Sequence, residues 1–186
     1  VKRIRYTSPH PQDMDEELLE VMRHNKNICK YIHLPLQAGS DRILQRMNRT
    51  YNQKEYLDLV KTIRHYLPGC AISTDIIVGF PGETKAEFKE TLNVMNLVGF
   101  SNSFMFKYSS RPGTKASEYS DQIDESIKQL RLEKVIALQK VLTLKANQKY
   151  IGKVTKVLVE KDSKKSSTQW AGRTDGNTWV IFDKIN

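Results

Sequence analysis

The stretch that decides the fold is AISTDIIV at residues 71–78, which runs directly into GFPGET at residues 79–84. The first part is apolar and rich in β-branched residues, as is typical of a strand covered on both faces in a parallel sheet. The glycines and the proline of the second part end the strand. Thr84 precedes Glu87 by three positions, the spacing of a helix N-terminal capping box. This segment therefore predicts a strand, a tight turn and a helix.

Three further strands are predicted around this one, at residues 3–7, 31–36 and 103–108. Helical patterns separate them, and a long helical pattern covers residues 124–149. The strands begin about 30–40 residues apart, a spacing that suits right-handed βαβ crossovers. We therefore expect an α/β fold with a parallel sheet and about four βα units.

The composition is that of a basic globular protein. Its 186 residues include 30 lysines and arginines against 21 aspartates and glutamates, for a formal net charge of +9. A hydrophobic content of 39% excludes wholesale disorder, and the charge favours a polyanionic partner such as RNA. No segment is apolar enough to span a membrane and no leader is recognisable, so we expect neither export nor a membrane partner.

The cysteine and histidine content predicts no metal ligand in this chain. Cys29 and Cys70 lie far apart, so they form neither a disulfide framework nor a closely spaced metal site. Two thiols of this kind are typical of the reducing cytoplasm, where we expect the protein to reside. His10 and His33 are isolated histidines, for which a structural role is favoured over metal binding.

The sequence pattern changes after Gly152, where short β-prone runs alternate with polar segments. We place a domain boundary here, with an α/β part at residues 1–148 and a small all-β part at residues 149–186. The basic stretch at residues 161–168 is predicted to be a mobile loop. Because the second part is short for a β-barrel and the chain opens on a strand without an initiator Met, we expect a piece of a longer protein.

Ligands of parallel sheets bind where the carboxyl ends of the strands meet. Four loops rich in glycine, proline and small polar residues follow the predicted strands, at residues 8–11, 37–40, 79–83 and 109–113. We expect them to line one rim. The sequence contains no Walker-type phosphate loop, GxGxxG, nucleophile elbow, HExxH or CxxC motif that would identify the ligand.

Within the sheet and its rim, the strongest single candidate is Asp75, because a carboxylate inside an apolar strand requires a partner or a function. Gly79 and Gly82 either admit a ligand or simply form a tight turn. Gln37 and Ser40 could bind a polar ligand, although Ser40 is also a natural helix cap.

Five blocks carry a resemblance to a known family: TSPHP at 7–11, HLPLQAGSD at 33–41, MNR at 47–49, STDIIVGFPGET at 73–84 and FMFKYSSRPGT at 104–114. In this order they resemble the second half of a radical S-adenosylmethionine methylthiotransferase. The match is closest to the branch that modifies isopentenylated adenosine in tRNA, and the branch that modifies threonylcarbamoyl-adenosine stays as the alternative. Residues 148–186 resemble the start of a TRAM domain, a small RNA-binding β-barrel.

The resemblance implies a partial parallel (βα) barrel of the radical SAM type followed by a partial all-β TRAM-like domain. It implies an enzyme that uses S-adenosylmethionine and two 4Fe–4S clusters to methylthiolate C2 of an adenosine next to the anticodon. Its partners would be the tRNA anticodon stem-loop and an electron donor. The cysteine motifs that hold the clusters in the family are missing from this chain, so we expect it to contain no catalytic residue and to be inactive alone. We also expect it to be monomeric.

The resemblance also assigns site residues. The predicted cofactor contacts are Gln37, Ser40, Thr74, Asp75, Gly79, Gly82, Phe106 and Lys107. The predicted RNA contacts are Arg111, Lys153, Lys156, Lys161, Lys164, Lys165 and Arg173, with Trp170 and Trp179 available for base stacking. For Arg111 and the lysine-rich stretch the alternative is solvated side chains, and for the tryptophans a core position. Two other readings stay open: an RNA-binding module on an inert α/β scaffold, and a phosphate-binding barrel enzyme.

Overall fold

A computed structural model describes residues 1–5 and 10–184 of the chain. It contains a parallel sheet with helices, followed by an antiparallel sheet. In chain order the elements are a 3₁₀ turn Pro11–Asp13, α1 Glu16–His24, β1 Tyr31–His33, α2 Asp41–Arg46, α3 Gln53–Tyr66, β2 Ala71–Val78, α4 Lys85–Val98, β3 Asn102–Lys107, α5 Lys115–Glu118, α6 Glu125–Gln148, β4 Leu158–Ser163, β5 Ser166–Arg173 and β6 Trp179–Asp183.

The parallel sheet has the order β1-β2-β3. Its register pairs Ile32 with Ile72 and Asp75 with Phe104. Of the strand predicted at residues 3–7, the described residues show a single parallel bridge, between Ile4 and Ile28. Residues 6–9, which include the rest of that strand and the start of the first rim loop, lie outside the described residues. The predicted α/β class is thus confirmed, with three strands in the parallel sheet of the described residues.

One face of the parallel sheet is covered and the other is open. Successive side chains of a strand point to opposite faces, and Ile72 and Ile76 of β2 are buried in the hydrophobic core. On the opposite face the neighbouring strand β3 presents Phe104 and Phe106, which are 50% and 53% exposed. The residues of β2 itself are all buried or half-buried, as expected for a covered strand, and the exposed residues of the second face belong to β3.

Local capping signals set the helix boundaries. Asn52 with Glu55, and Thr84 with Glu87, form the capping boxes that begin α3 and α4. Helix α1 is different: its cap is Asp15, whose carboxylate accepts the backbone N–H of Leu18 at 2.8 Å. Asp13 stands three positions before Glu16 and so also has the spacing of an N-terminal cap, but Pro11–Asp13 forms a separate 3₁₀ turn and α1 begins two residues later than this spacing predicts.

Helix α6 packs against the parallel sheet through a mixed apolar and polar seam. Val135 is fully buried, and Gln139 is buried although it is polar. The side chain of Gln139 is satisfied at both ends, because it accepts from the Ser103 hydroxyl at 2.6 Å and donates to the Phe100 carbonyl at 3.0 Å. These bonds dock α6 on β3 in one register. Among the described residues, no helix is long and apolar enough to cross a lipid bilayer.

The antiparallel sheet has the order β4-β5-β6. The prediction of a mobile loop at residues 161–168 is wrong, because β4 continues to Ser163 and β5 begins at Ser166. Lys164 and Lys165 alone form the turn. The polar composition of this stretch reflects solvent exposure of a hairpin, whereas the backbone is held by ladder bonds between the two strands.

Two arginines at the start of the chain tie the antiparallel sheet to the parallel part. Arg3 donates to the carbonyl of Arg173 at 2.7 Å and pairs with the Asp175 carboxylate at 2.7 Å. Arg5 donates to the Thr174 carbonyl at 2.7 Å. Because Ile4 between them forms an isolated bridge to Ile28, just before β1, this segment connects the start of the parallel part to the end of β5 and the residues that follow it.

Candidate functional site

A cleft of about 930 Å³ opens at the carboxyl end of the parallel sheet. This is the edge at which ligands of parallel sheets bind. Five residues predicted from sequence line it: Gln37, Asp75, Phe106, Lys107 and Arg111. The four loops were expected to share one rim, and residues of three of them line the cleft together with the strand ends: Gln37 of 37–40, Phe80 of 79–83, and Ser109 and Arg111 of 109–113.

Asp75 has the partner that a carboxylate in an apolar strand requires. One of its oxygens, Oδ2, lies 3.2 Å from Nε2 of His33. The other ring nitrogen of His33 lies 2.8 Å from the Ser73 hydroxyl, which in turn lies 2.6 Å from the Tyr31 hydroxyl. This chain of contacts runs along the open face of the sheet. It orients the Asp75 carboxylate at the cleft, where it can accept hydrogen bonds from hydroxyl or ammonium groups.

Gln37 is held at the cleft by an unusual backbone conformation. Its φ is +67°, in the left-handed region that non-glycine residues rarely adopt. Its N–H donates to the Asp75 carbonyl at 2.9 Å, and its carbonyl accepts the Ile77 N–H at 2.9 Å. The backbone of Gln37 thus extends the sheet beyond the end of β1. Strain of this kind concentrates at functional sites.

Gly79 and Gly82 are close to protein, and neither lines the cleft. A Cβ atom on Gly79 would lie 2.4 Å from Cγ of Lys128, and one on Gly82 would lie 2.3 Å from Oδ2 of Asp121. Both glycines also have positive φ, +70° and +77°. Of the two roles weighed for them, these contacts favour the tight turn, and cofactor contact stays a prediction.

A buried ion pair that sequence reasoning missed holds this turn. The Glu83 side chain is 1% exposed and pairs with Arg131 of α6 at 2.6 Å. The same carboxylate accepts the Gly79 N–H at 2.7 Å. Burial raises the pKa of Glu83, while the Gly79 N–H and Arg131 oppose that rise. The pair fixes the position of the turn between β2 and α4.

Ser40 and Thr74 lie behind the cleft, where they organise the neighbouring loop. Thr74 is fully buried and its hydroxyl accepts the Leu36 N–H at 2.8 Å. The Ser40 hydroxyl donates to Glu87 at 3.2 Å, and Arg42 donates to the same carboxylate at 2.6 Å. Arg42 and the N-terminal groups of α4 lower the pKa of Glu87 to about 2. Cofactor contact by Ser40 or Thr74 stays a prediction.

The wall formed by the end of β3 combines an apolar ring with polar groups. Phe106 presents a half-exposed ring, and the ammonium of Lys107 pairs with Glu125. The Tyr108 ring packs edge-on against Phe80, with ring centroids 5.0 Å apart. Its hydroxyl is buried without a hydrogen-bond partner among the described residues, although unpaired buried polar atoms are uncommon in folded proteins. This side of the cleft can thus hold a planar apolar group beside a hydrogen-bonding one.

In the antiparallel sheet, two of the predicted RNA-contact residues meet on a tryptophan. Trp179 is 50% exposed, and its ring lies 4.8 Å from Nζ of Lys161 and 5.1 Å from the guanidinium of Arg173. Trp170 is half-buried and packs on Phe182. The two tryptophans therefore differ, since Trp179 is available for stacking and Trp170 belongs to the sheet's packing.

The other predicted RNA contacts are exposed but dispersed. Lys164 and Lys165 form the tip of the hairpin between β4 and β5, and Lys153 and Lys156 precede β4. Arg111 lies on the cleft, apart from this sheet. The structure thus divides the predicted RNA contacts between two surfaces.

No group of three or more His, Cys, Asp or Glu side chains in the described part of the chain could hold a metal ion. Cys29 and Cys70 are free and buried. Burial raises the pKa of Cys70 to about 12 and also raises that of Cys29. Neither thiol is therefore disposed to form the thiolate that a cluster requires.

Two protein-family models match the chain. The model described as the Radical SAM superfamily matches residues 1–95. The model described as the TRAM domain matches residues 148–185.

Curated relatives match almost the whole chain. A protein of Porphyromonas gingivalis named tRNA-2-methylthio-N(6)-dimethylallyladenosine synthase is 50% identical over 98% of this chain. Proteins of the same name from Parabacteroides distasonis and Methylacidiphilum infernorum are 50% and 44% identical, each over 99% of it. The chain spans about 40% of the length of these relatives.

A solved structure with a similar fold is that of coproporphyrinogen III oxidase (HemN) from Escherichia coli, which is described as a radical SAM enzyme. The superposition has a TM-score of 0.59 and covers 92% of this chain and 49% of the other. Sequence identity is 13%, so the similarity concerns the fold alone.

Proposed function

The chain belongs to the radical SAM superfamily, and we propose that it is part of a tRNA methylthiotransferase acting on C2 of an isopentenylated adenosine next to the anticodon. Its fold is a partial barrel of the radical SAM type followed by a TRAM-like antiparallel sheet, as predicted. The observation that carries the proposal is 50% identity over 98% of the chain to a relative named for this product.

The residues that line the cleft match the chemical groups of S-adenosylmethionine. Asp75 and Gln37 supply polar groups, Phe106 supplies an apolar ring, and the Tyr108 hydroxyl, which has no partner among the described residues, is available for one more hydrogen bond. We assign Asp75 and Gln37 to hydroxyl or ammonium groups of this cofactor and Phe106 to its planar base. When bound, S-adenosylmethionine supplies radical chemistry that is started by an electron from an iron–sulfur cluster. The residues of this chain bind and orient it and exclude water around it.

The two 4Fe–4S clusters do not fit the described residues of this chain. Cys29 and Cys70 are buried thiols, and no third ligand accompanies them in the part of the chain that the structure describes. We therefore assign the cluster cysteines and the electron-donor contact to the region of the relatives that this chain does not span. On this assignment the chain alone is inactive.

The antiparallel sheet is assigned to tRNA binding. A half-exposed Trp179 between Lys161 and Arg173 combines a stacking surface with phosphate-pairing cations, the combination by which proteins hold unpaired nucleotides. We propose the anticodon stem-loop as the partner, residues 1–148 and 149–186 as the two domains, and a monomer in the cytoplasm as the working state.

Nucleoside analysis tests the proposal. In tRNA from cells that lack the gene, the methylthio derivative of isopentenyladenosine should disappear, and full-length protein should restore it. The Asp75→Asn variant of the full-length protein should bind S-adenosylmethionine more weakly and restore less product. Loss of the methylthio derivative of threonylcarbamoyl-adenosine instead would assign the chain to the other branch, and no change in either nucleoside would refute the transferase assignment.

A further inference from the structure

The antiparallel sheet lies at the amino end of the parallel sheet, opposite the cleft. The turn between β5 and β6, at residues 174–178, contains Gly176, where an added Cβ would lie 3.4 Å from Cβ of Ala71. Ala71 is the first residue of β2. The cleft lies at the other end of the same strand, where Asp75 and Ile77 line it. The two candidate sites are therefore at opposite ends of β2.

This placement separates the proposed RNA surface from the cleft by about the length of a strand. Trp179 begins β6 and pairs with Arg173 at the end of β5, so both residues lie next to the docked turn. Each residue of a strand advances about 3.3 Å, so the six steps from Ala71 to Ile77 span about 20 Å. If RNA is held at Trp179 as proposed, a small rotation of the sheet displaces the nucleotide that enters the cleft.

The guanidinium of Arg3 fixes the antiparallel sheet through three nitrogens. Nη1 donates to the Arg173 carbonyl at 2.7 Å, and Nη2 donates to the Lys156 carbonyl at 3.2 Å. Nε pairs with the Asp175 carboxylate at 2.7 Å. The Arg3 side chain is only 15% exposed, and its three nitrogens are engaged. It is therefore placed to hold the sheet and has little surface left for an RNA phosphate.

Arg5 makes a second connection to the antiparallel sheet. Its Nη2 donates to the Thr174 carbonyl at 2.7 Å, and its Nη1 lies 3.7 Å from the Glu160 carboxylate. Glu160 also pairs with Arg173 at 2.8 Å, and the Arg173 guanidinium lies 5.1 Å from the ring of Trp179. The contacts of Arg5 thus extend to the aromatic ring of the proposed RNA surface.

The backbone between the two arginines is anchored to the parallel part. The Ile4 N–H donates to the Asn27 carbonyl at 2.8 Å, and the Ile4 carbonyl accepts the Cys29 N–H at 3.0 Å. Alternate residues of an extended segment point to the same side. Arg3 and Arg5 accordingly both reach the antiparallel sheet, while Ile4 between them is held by the segment that precedes β1.

We propose that Arg3 and Arg5 are positioning residues of the transferase, which hold the antiparallel sheet at a fixed angle so that RNA bound at Trp179 presents its adenosine in the cleft. This inference rests on the proposed function and deepens it, since it assigns the orientation of the RNA to residues that do not contact it. Contacts between domains permit relative motion unless they are large and apolar. A planar guanidinium with several fixed acceptors restricts that motion, and misplacing a reactant by about 1 Å can lower a rate about 100-fold.

The test compares turnover with binding in the full-length protein. In Arg3→Gln, kcat for methylthiolation of an anticodon stem-loop RNA, at saturating RNA and S-adenosylmethionine, should fall at least about tenfold. Fluorescence anisotropy should show a Kd for the same RNA within about threefold of the wild type and an unchanged slope of log K against log salt. Arg5→Gln should behave in the same way. Arg23→Gln is the matched control, because Arg23 is an exposed arginine on α1 that pairs with Glu20.

Asp175→Asn breaks the Arg3 contact from the other side and keeps the test decisive if the arginine variants do not fold, since the Asp175 side chain is 54% exposed. It should lower kcat about threefold, because it removes one of the three contacts of Arg3. The double variant with Arg3→Gln should lose no more than Arg3→Gln alone, as expected for two residues in one contact. Amide hydrogen exchange in the turn at residues 174–178 should become faster in these variants, whereas S-adenosylmethionine affinity and stoichiometry, measured by calorimetry, should match the wild type.

Either of two results overturns the inference. An unchanged kcat in those of the three single variants that fold would show that turnover does not depend on these contacts. A lower salt slope in either arginine variant would make that arginine a direct RNA contact. Both results leave the proposed function intact as long as the wild-type protein forms the methylthio nucleoside, whereas a wild-type protein that forms none would refute that function itself.

Discussion

The parallel and antiparallel parts each contain an ion pair that crosses between elements, and the two pairs differ in burial. In the parallel part the pair Glu83–Arg131 is buried, with side chains that are 1% and 11% exposed. In the antiparallel sheet the pair Glu160–Arg173 is more open, at 23% and 30%, and lies beside the half-exposed Trp179. The first pair fixes the turn between β2 and α4, and the second leaves a cation partly exposed beside an exposed aromatic ring. Variants in the two regions should therefore separate stability from RNA binding.

The largest effect is expected from Arg131→Leu, which leaves the buried Glu83 carboxylate without its cation. Breaking one side of a buried pair costs about 3–5 kcal/mol of unfolding free energy. Chemical denaturation measures the loss. Arg173→Leu in the antiparallel sheet is the control, and about 1 kcal/mol is expected for its more exposed ion pair. Equal losses in the two variants would contradict the contrast between the two regions.

Gly39→Ala should lower the unfolding free energy by about 2–3 kcal/mol, as expected for overpacking. A Cβ on Gly39 would lie 2.5 Å from Cα and 2.6 Å from N of Thr91, both backbone atoms of α4. Gly69→Ala is a matched control, since Gly69 has a positive φ but no atom within 4 Å of a new Cβ, and about 1 kcal/mol is expected there. A Gly39→Ala loss no larger than that of Gly69→Ala would show that α4 can shift freely.

Acid should weaken the parallel part through Glu87. Its pKa is about 2 in the folded protein against a usual value of 4.5, because Arg42 and the start of α4 favour the carboxylate. A lowered pKa stabilises the fold above about pH 4.5, and this stabilisation is lost as the pH falls toward 2. We expect a loss of about 2 kcal/mol, reduced by solvent around Arg42. Urea unfolding measures the unfolding free energy at pH 7 and at pH 3. The difference between the two values should be smaller in Glu87→Gln than in the wild type. The same difference in both proteins would show that the Arg42–Glu87 pair does not cause the loss of stability in acid.

Trp179→Ala should weaken RNA binding by about 1–2 kcal/mol, as expected for the loss of one stacked base. Because Trp179 is 50% exposed, the unfolding free energy should change little. Trp179→Phe keeps an aromatic ring and should retain most of the affinity, as measured by anisotropy with the stem-loop RNA. A large loss of stability with unchanged RNA affinity would make Trp179 a packing residue.

The smallest effect is expected at the hairpin tip. The double variant Lys164→Gln and Lys165→Gln should lower the salt slope of RNA binding by up to about 1.4 if both lysines contact phosphates of a single strand. Its unfolding free energy should stay within about 0.5 kcal/mol of the wild type. If the double variant has the same salt slope as the wild type, neither lysine contacts the RNA, and both are solvated side chains as in the alternative given for this stretch.

Sequence reasoning succeeded where the signal is confined to a few neighbouring residues. The capping boxes at Asn52 and Thr84 and the apolar run of β2 are such signals, and the structure contains them at the expected positions. It failed for the hairpin at residues 161–168, where exposed strand residues have the composition of a loop. It also missed the ion pair between Glu83 and Arg131, because two residues 48 positions apart give no local sign of their contact.

The amino-acid sequence by itself determined the α/β class, the change to an all-β texture near residue 150 and the residues Asp75 and Gln37 at the rim. These depend on hydrophobic period, turn residues and motif order, which are local properties of the chain. Only the tertiary structure decided that Arg131 holds Glu83 across 48 positions, that β3 exposes Phe104 and Phe106 on one sheet face and that residues of three loops line one cleft. Those features arise when distant segments dock, and docking depends on packing and desolvation summed over many residues.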